Sequence, residues 1–208
     1  PMSNVSRYVA LVRRPLGVPA AHDFRLLEGE IGPVGQGEAL VSNLYVSADP
    51  YMRGRMRDTP SHLGPFGLGE PITGSAIGRV EKSENVAVPV GATVVSFSGW
   101  RDLFITDGSD VEVVDTGDVP VPAYLGVLGT PGFTAWYGLN HIGRPVRGET
   151  VLVSAAAGAV GSLVVQLARR VGCRVVAVVG STEKGRYVTD DLGADIAVNY
   201  RDESDMTA

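Results

Sequence analysis

The sequence predicts two domains: a β domain of short strands over residues 1–120, then the first half of a doubly wound α/β domain with a parallel sheet over 121–208. Three observations carry this expectation. Ten of the 13 prolines lie before residue 121, so the composition changes there. In the first part, Gly, Pro, Asn and Asp punctuate short apolar runs, as a sandwich or barrel requires. After residue 150 the apolar pattern becomes strand, helix, strand, helix, strand, which is the signature of βαβ units.

Candidate strands of the first domain are Arg7–Arg13, Phe24–Glu30, Glu38–Val46, Ser75–Glu81, Thr93–Ser98 and Val111–Val114. Between Asp49 and Pro71 lies DPYMRGRMRDTPSHLGPFGLGEP, a Gly/Pro-rich stretch too long for a plain connection and read as a functional loop. In the second domain, Thr150–Ser154 is a short apolar run suited to a buried parallel strand. Val160, Leu163, Val164, Leu167, Ala168 and Val171 then recur at helical spacing and give one apolar face. Gly172 supplies the stop. Val175–Val179 is a second strand, Glu183–Leu192 a helix ended by Gly193, and Ile196–Asn199 a third strand. A dinucleotide-binding sheet has two such halves. The chain ends at Ala208 after one, so it is expected to be truncated or completed by another chain; an open strand edge otherwise invites pairing. A homodimer is one candidate assembly.

Composition narrows the function classes. The chain is 44% hydrophobic and 20% charged, ordinary for a globular protein. A net charge of −5, with no Lys/Arg block, argues against nucleic acid or an anionic membrane as partner. No apolar run approaches the roughly 18 residues of a membrane span, and PMSNVSRYV lacks a signal-peptide core. Cys173 is the sole cysteine, which excludes an intramolecular disulfide and multi-cysteine zinc sites. A cytoplasmic location is expected, and the Asn4-Val5-Ser6 sequon is then a chance match.

The chemistry concentrates in Ala155-Ala156-Ala157-Gly158-Ala159-Val160-Gly161, a variant of the glycine-rich dinucleotide turn with Ala155 at the first glycine position. Gly158 lets backbone approach a pyrophosphate, Gly161 lets the helix pack on the strand, and free N–H groups at the helix start face the phosphate charge. The tip of the second strand selects the cofactor. An NAD site carries an acid there, on the ribose hydroxyls. Here Gly180 and Ser181 occupy the tip without a carboxylate; Glu183 is near but sits past the usual strand-tip position, and Lys184 and Arg186 follow. A 2′-phosphate is welcomed by a cation, so NADP(H) is preferred; the plainer alternative makes both cations solvated helix charges.

At these residues the chain resembles a family, the zinc-independent medium-chain dehydrogenase/reductases, in their leukotriene B4 12-hydroxydehydrogenase or prostaglandin (alkenal) reductase branch. LYVSADPYMRGRM (44–56), ENVAVPVGATVVSFSGW (84–100), LGTPGFTAWYGL (128–139), GETVLVSAAAGAVGS (148–162) and VVGSTEKGRYVTDDLGADIAVNY (178–200) carry the resemblance. It implies a GroES-like β domain followed by a Rossmann domain. It also implies NADPH-dependent reduction of the carbon–carbon double bond of an enone or enal in a cleft between the two. Under it, Lys184 and Tyr200 match residues that hold the 2′-phosphate, and Ala157 to Gly161 match the pyrophosphate turn. Thr134 matches a threonine near the nicotinamide, and Tyr51 lines the cleft as a candidate donor to the substrate carbonyl. Tyr51 has an equal alternative as a packing residue under the long loop, and Tyr200 one as a strand-end aromatic.

Zinc alcohol dehydrogenases share this architecture, and zinc needs about three ligands from Cys, His and Asp/Glu. Cys173 sits at a helix–strand junction as a small buried residue, and His22, His62 and His141 show no ligand spacing, so no metal is expected. His62 is expected to face solvent. Two further function readings stay open: an NADPH quinone reductase, and a non-catalytic NADPH-binding protein.

Overall fold

The computed structural model describes residues 5–60 and 63–202. It divides at Leu125/Gly126 into two units, five residues past the change in composition.

In the first unit, β1 (Val5–Leu11) and β2 (Phe24–Glu30) form an antiparallel ribbon. The strands β3 (Ala39–Val46), β4 (Ala76–Ser83), β5 (Thr93–Ser96), β6 (Leu103–Thr106) and β7 (Val111–Val114) form a five-stranded antiparallel sheet, ordered β6-β3-β4-β5-β7. Ala39, Val41, Val80, Val94 and Phe104 are buried together against one face of it. The sequence pattern puts the first strand at Arg7–Arg13. It runs Val5–Leu11 instead, because the amides of Val12 and Arg13 both turn to the carbonyl of Asp23. The pattern does not reveal β6: four residues soon after an aspartate give too short a run to show a period.

The stretch after Asp49 is also more ordered than a loop. It opens with a short helix, α1 (Tyr51–Arg55), which starts beside Pro50 at φ −57°. Two arginines of this helix anchor the neighbouring chain. Arg55 donates from Nε to the Gly64 carbonyl at 3.0 Å and from Nη1 to Thr73 Oγ1 at 2.9 Å, and its guanidinium lies 4.1 Å over the Phe66 ring. Arg53 reaches the Gly17 carbonyl. Met52, Met56, Phe66 and Ile72 bury themselves with Leu11 beneath. The segment therefore has a core of its own.

In the second unit, α2 (Thr130–Tyr137) continues as a wider helical turn, Gly138–Gly143. The sequence pattern shows no helix here, since Pro131, Gly132 and Gly138 mask it; Pro131 fits because a helix start needs no donor there. β8 (Thr150–Val153), α3 (Ala159–Val171), β9 (Arg174–Val179), α4 (Thr182–Arg186) and β10 (Ile196–Asn199) come after it. The sheet is parallel and ordered β10-β9-β8. α3 buries Gly161, Val165 and Ala168, and Gly172 ends it at φ +90°. The expected helix Glu183–Leu192 begins at Thr182 and widens after Arg186, over Tyr187–Asp191. Thr189 explains the widening: its hydroxyl donates to the Gly185 carbonyl at 3.1 Å and competes with the helical ladder. β8 and β10 are both edges of the sheet, and Leu152 on β8 is 69% exposed. Among the described residues no helix is long and apolar enough to cross a membrane.

Candidate functional site

Parallel register brings three strand ends to one edge of the second unit. Val153 pairs with Ala177, and Val179 with Asn199, so the chain leaves all three strands on the same side. That is where an open α/β sheet places its ligand crevice. Two hydrogen bonds stitch the exits together: Ala156 N–H to the Val178 carbonyl, and Tyr200 N–H to the Val179 carbonyl, both at 3.1 Å.

The turn after β8 is built on small residues. Ala155, at the first glycine position, takes a left-handed φ of +47° despite its methyl group. Gly158 closes the turn by donating to the Ala155 carbonyl at 2.8 Å and begins α3 in extended conformation, without a side-chain cap. A helix start leaves the N–H groups of Ala159, Val160 and Gly161 without intrahelical acceptors. Gly158, Ala159 and Val160 are exposed, and Ala157 is half-buried. Gly161 is buried for another reason. A Cβ there would strike the Ala155 carbonyl oxygen and lie 2.8 Å from the Ala156 Cα. Gly158 is freer, since its Cβ would meet only the Ala155 oxygen, at 3.1 Å.

The tips of β9 and β10 are fitted to each other. A Cβ on Gly180 would lie 2.7 Å from the Tyr200 hydroxyl and 3.0 Å from its ring, so glycine is what admits this tyrosine. Tyr200 is half-exposed, and the Arg201 guanidinium lies 6.0 Å from its ring centre. Ser181 caps α4 by accepting from the Lys184 N–H at 3.2 Å, which fixes the backbone from which the exposed Lys184 side chain leaves. The structure thus gathers Ala157 to Gly161, Gly180, Ser181, Lys184 and Tyr200 on two adjacent strand exits and the turn beside them. Thr134 is exposed on α2 of the same unit, and no side-chain hydrogen bond joins it to the turn.

Tyr51 belongs to the first unit, as the first residue of α1, and is 36% exposed. Its ring stacks on Phe97, with centroids 6.5 Å apart and planes at 17°. Its hydroxyl lies 3.6 Å from where a Cβ on Gly74 would sit and has no hydrogen-bond partner among the described residues. Burial, helped by the charge of Asp49 and opposed by Arg55, holds the phenol above its ordinary pKa. It is therefore a neutral donor at any physiological pH. Phe97 is a residue that sequence reasoning misses. The available signal is an aromatic one residue past the end of β5, where the strand alternation stops.

No group of three or more His, Cys, Asp or Glu among the described residues could hold a metal ion. Cys173 is buried with its Sγ 3.5 Å from the Val146 carbonyl, His22 lies against Asp23, and His141 lies between aromatic rings. His62 lies outside the described residues. This donor set does not fit a zinc centre.

Comparison with known proteins bears on both units. Residues 7–114 match a family model described as the N-terminal domain of oxidoreductase, and residues 159–208 match one described as zinc-binding dehydrogenase. The NADPH-dependent curcumin reductase of Escherichia coli is 44% identical over 197 residues, 94% of this chain and 56% of the relative. The NADP(+)-dependent 2-alkenal reductase of Nicotiana tabacum is 39% identical over 208 residues, covering 98% and 61%. A crystal structure of CurA from Vibrio vulnificus in complex with NADPH superposes with a TM-score of 0.89 at 40% identity, covering 94% of this chain and 58% of that one. The chain thus spans somewhat more than half the length of the relatives it matches.

Proposed function

The chain belongs to the zinc-independent medium-chain dehydrogenase/reductase family, in its alkenal and prostaglandin reductase branch. On that premise we propose that it carries the β domain and the cofactor turn of an NADPH-dependent reductase of the carbon–carbon double bond of α,β-unsaturated ketones and aldehydes. The observation that carries the cofactor half is the strand-end site: a turn stripped of side-chain bulk at Gly158, and a second strand tip with Lys184 where an acid would repel a 2′-phosphate.

In this reading the N–H groups of Ala159 to Gly161 would hold the pyrophosphate, and Lys184 and Tyr200 the 2′-phosphate. Ala157, Gly180 and Ser181 would shape the walls, and Thr134 would serve the nicotinamide end. When bound, the cofactor supplies a hydride to the electron-poor β-carbon of the enone. Negative charge then develops on the carbonyl oxygen, and the Tyr51 hydroxyl donates to it, the role of an oxyanion donor. Burial suits Tyr51 to this role, because its proton stays in place well above neutral pH. A proton from solvent at the α-carbon completes the saturated product. No metal takes part.

The test is Tyr51→Phe in the protein encoded by the complete reading frame, assayed by NADPH oxidation with an enone and a quinone. Loss of one oxyanion donor costs about 10²-fold in kcat, with NADPH affinity kept. A kcat within about twofold of the parent would leave Tyr51 a packing residue. Tight NADPH binding without turnover of either substrate would favour a non-catalytic protein.

A further inference from the structure

We infer that Phe97 is a specificity-determining residue of this site, selecting planar aryl-conjugated enones over flexible alkyl ones. The inference rests on the enone reductase reading and names its substrate class.

Two part-exposed rings form the surface in question. Phe97 is 44% exposed and Tyr51 36%, and their planes lie within 17° of each other at 6.5 Å between centroids. They come from separate elements, Tyr51 from α1 and Phe97 from the segment just past β5. The backbone between them is tightly set. The Gly74 N–H donates to the Phe97 carbonyl at 3.3 Å, and the Trp100 N–H to the Ile72 carbonyl at 2.8 Å. A Cβ on Gly99 would lie 2.6 Å from the Thr73 Cα and 2.8 Å from the Gly74 nitrogen, and φ at Gly99 is +71°. The 72–74 and 97–99 segments are thus packed backbone to backbone, which fixes the backbone from which the Phe97 ring leaves. Trp100 adds a further tie, donating from Nε1 to the Ser47 carbonyl at 2.8 Å.

A flat ligand ring laid on these part-exposed faces would bury apolar area and gain a stacking contact. The Tyr51 hydroxyl at the rim of this pair has no partner among the described residues. A ligand that combines a flat ring with a conjugated carbonyl satisfies both features at once. Its ring would cover the exposed Phe97 face, and its conjugated carbonyl would be the acceptor offered to the phenol. An alkyl enone gains the hydrogen bond without the stack. An aromatic contact of this kind is worth roughly three- to tenfold in affinity.

The experiment compares kcat/KM for 4-phenyl-3-buten-2-one and for 3-nonen-2-one in the complete protein, in the parent, Phe97→Leu and Phe97→Tyr. The aryl-to-alkyl ratio is expected to fall three- to tenfold in Phe97→Leu and to be restored in Phe97→Tyr. A ratio unchanged in Phe97→Leu overturns the inference and leaves the Tyr51 reading standing. A calorimetric arm, with the unreactive 4-phenylbutan-2-one and 2-nonanone, covers a parent that turns over neither enone. Turnover failure then refutes the reductase reading, while loss of aryl-ketone preference in Phe97→Leu still supports the role of Phe97, and an unaltered preference refutes it.

Discussion

Gly161 and Gly158 stand three residues apart in the same turn, yet substituting them should damage different properties. In Gly161→Ala the new methyl would lie 2.8 Å from the Ala156 Cα and 2.9 Å from the Ala155 carbonyl carbon, and closer still to the carbonyl oxygen. All three are backbone atoms, so no side chain can move aside. Carbon atoms rest at about 3.5–4.0 Å, and α3 must therefore retreat by about 1 Å from the end of β8. Overpacking of this kind costs about 1–3 kcal/mol. Alanine regains at most about 1 kcal/mol of helix propensity over glycine, and less at a helix start. A net loss of about 1–2 kcal/mol results, or some 2–8 °C in Tm for a protein of this size.

Gly158→Ala meets only a milder form of this. Its φ of −82° and ψ of 173° are open to alanine, and the new methyl would have one neighbour, at 3.1 Å. Stability should change by less than about 0.5 kcal/mol, as for substitutions away from packed features. The methyl instead stands where a pyrophosphate would approach the turn. Losing one charge-assisted backbone hydrogen bond costs about 1.5–3 kcal/mol, about 10- to 150-fold in Kd. Thermal denaturation of each variant, with fluorescence titration of NADPH, separates the two. Equal destabilisation by both substitutions, or full NADPH affinity in Gly158→Ala, would refute the reading of the turn.

Two single side chains give further outcomes. Lys184→Ala should weaken NADPH by about 1–3 kcal/mol and leave NADH affinity nearly unchanged; equal loss for both cofactors in parallel titrations would remove Lys184 from the 2′-phosphate. Asp23 is buried, accepts from the Ala20 N–H and from Arg13 Nε, both at 2.9 Å, and is held below the ordinary carboxylate range, foremost by the Ala20 amide. A depressed folded pKa contributes stability in full above the unfolded value of about 3.9, lost as pH falls through the lower folded value. Asp23→Asn should therefore flatten the acid limb of stability measured by urea unfolding below about pH 4; identical acid slopes would contradict it.

What the sequence makes legible is what local chemistry decides. Val160 to Val171 advertises its helix, because one apolar stripe of period 3.6 has a single low-energy use. Phe24–Glu30, Val111–Val114 and Ile196–Asn199 are legible to the residue, each a short run bounded by turn-formers. The rest depends on tertiary contacts. α1 forms inside a Gly/Pro-rich stretch because Arg53 finds a carbonyl partner at Gly17, distant in sequence, and Arg55 one at Gly64 across the same stretch. β6 exists because β3 offers it a ladder, Val41 opposite Phe104. Tyr51 can be named from its motif, whereas its ring partner Phe97 lies 46 positions away and has meaning only once the 72–74 and 97–99 segments are packed.

Three small residues in the cofactor half also serve three separate purposes, which composition alone would merge. Gly161 is small so that α3 can lie on β8, Gly180 so that Tyr200 can fold over the strand tip, and Gly158 so that backbone N–H groups stay uncovered. Ala155 shows the reverse case. It occupies the first glycine position at φ +47°, a conformation that costs an L-residue roughly 1–2 kcal/mol. The turn accepts that strain because the Gly158 N–H returns to the Ala155 carbonyl and the Ala156 N–H is held by β9. Glycine at 155 would avoid the strain but enlarge the conformational freedom of the unfolded chain by a comparable free energy. The two choices nearly cancel, so the first glycine of the motif can be exchanged while Gly161, walled in by backbone, cannot.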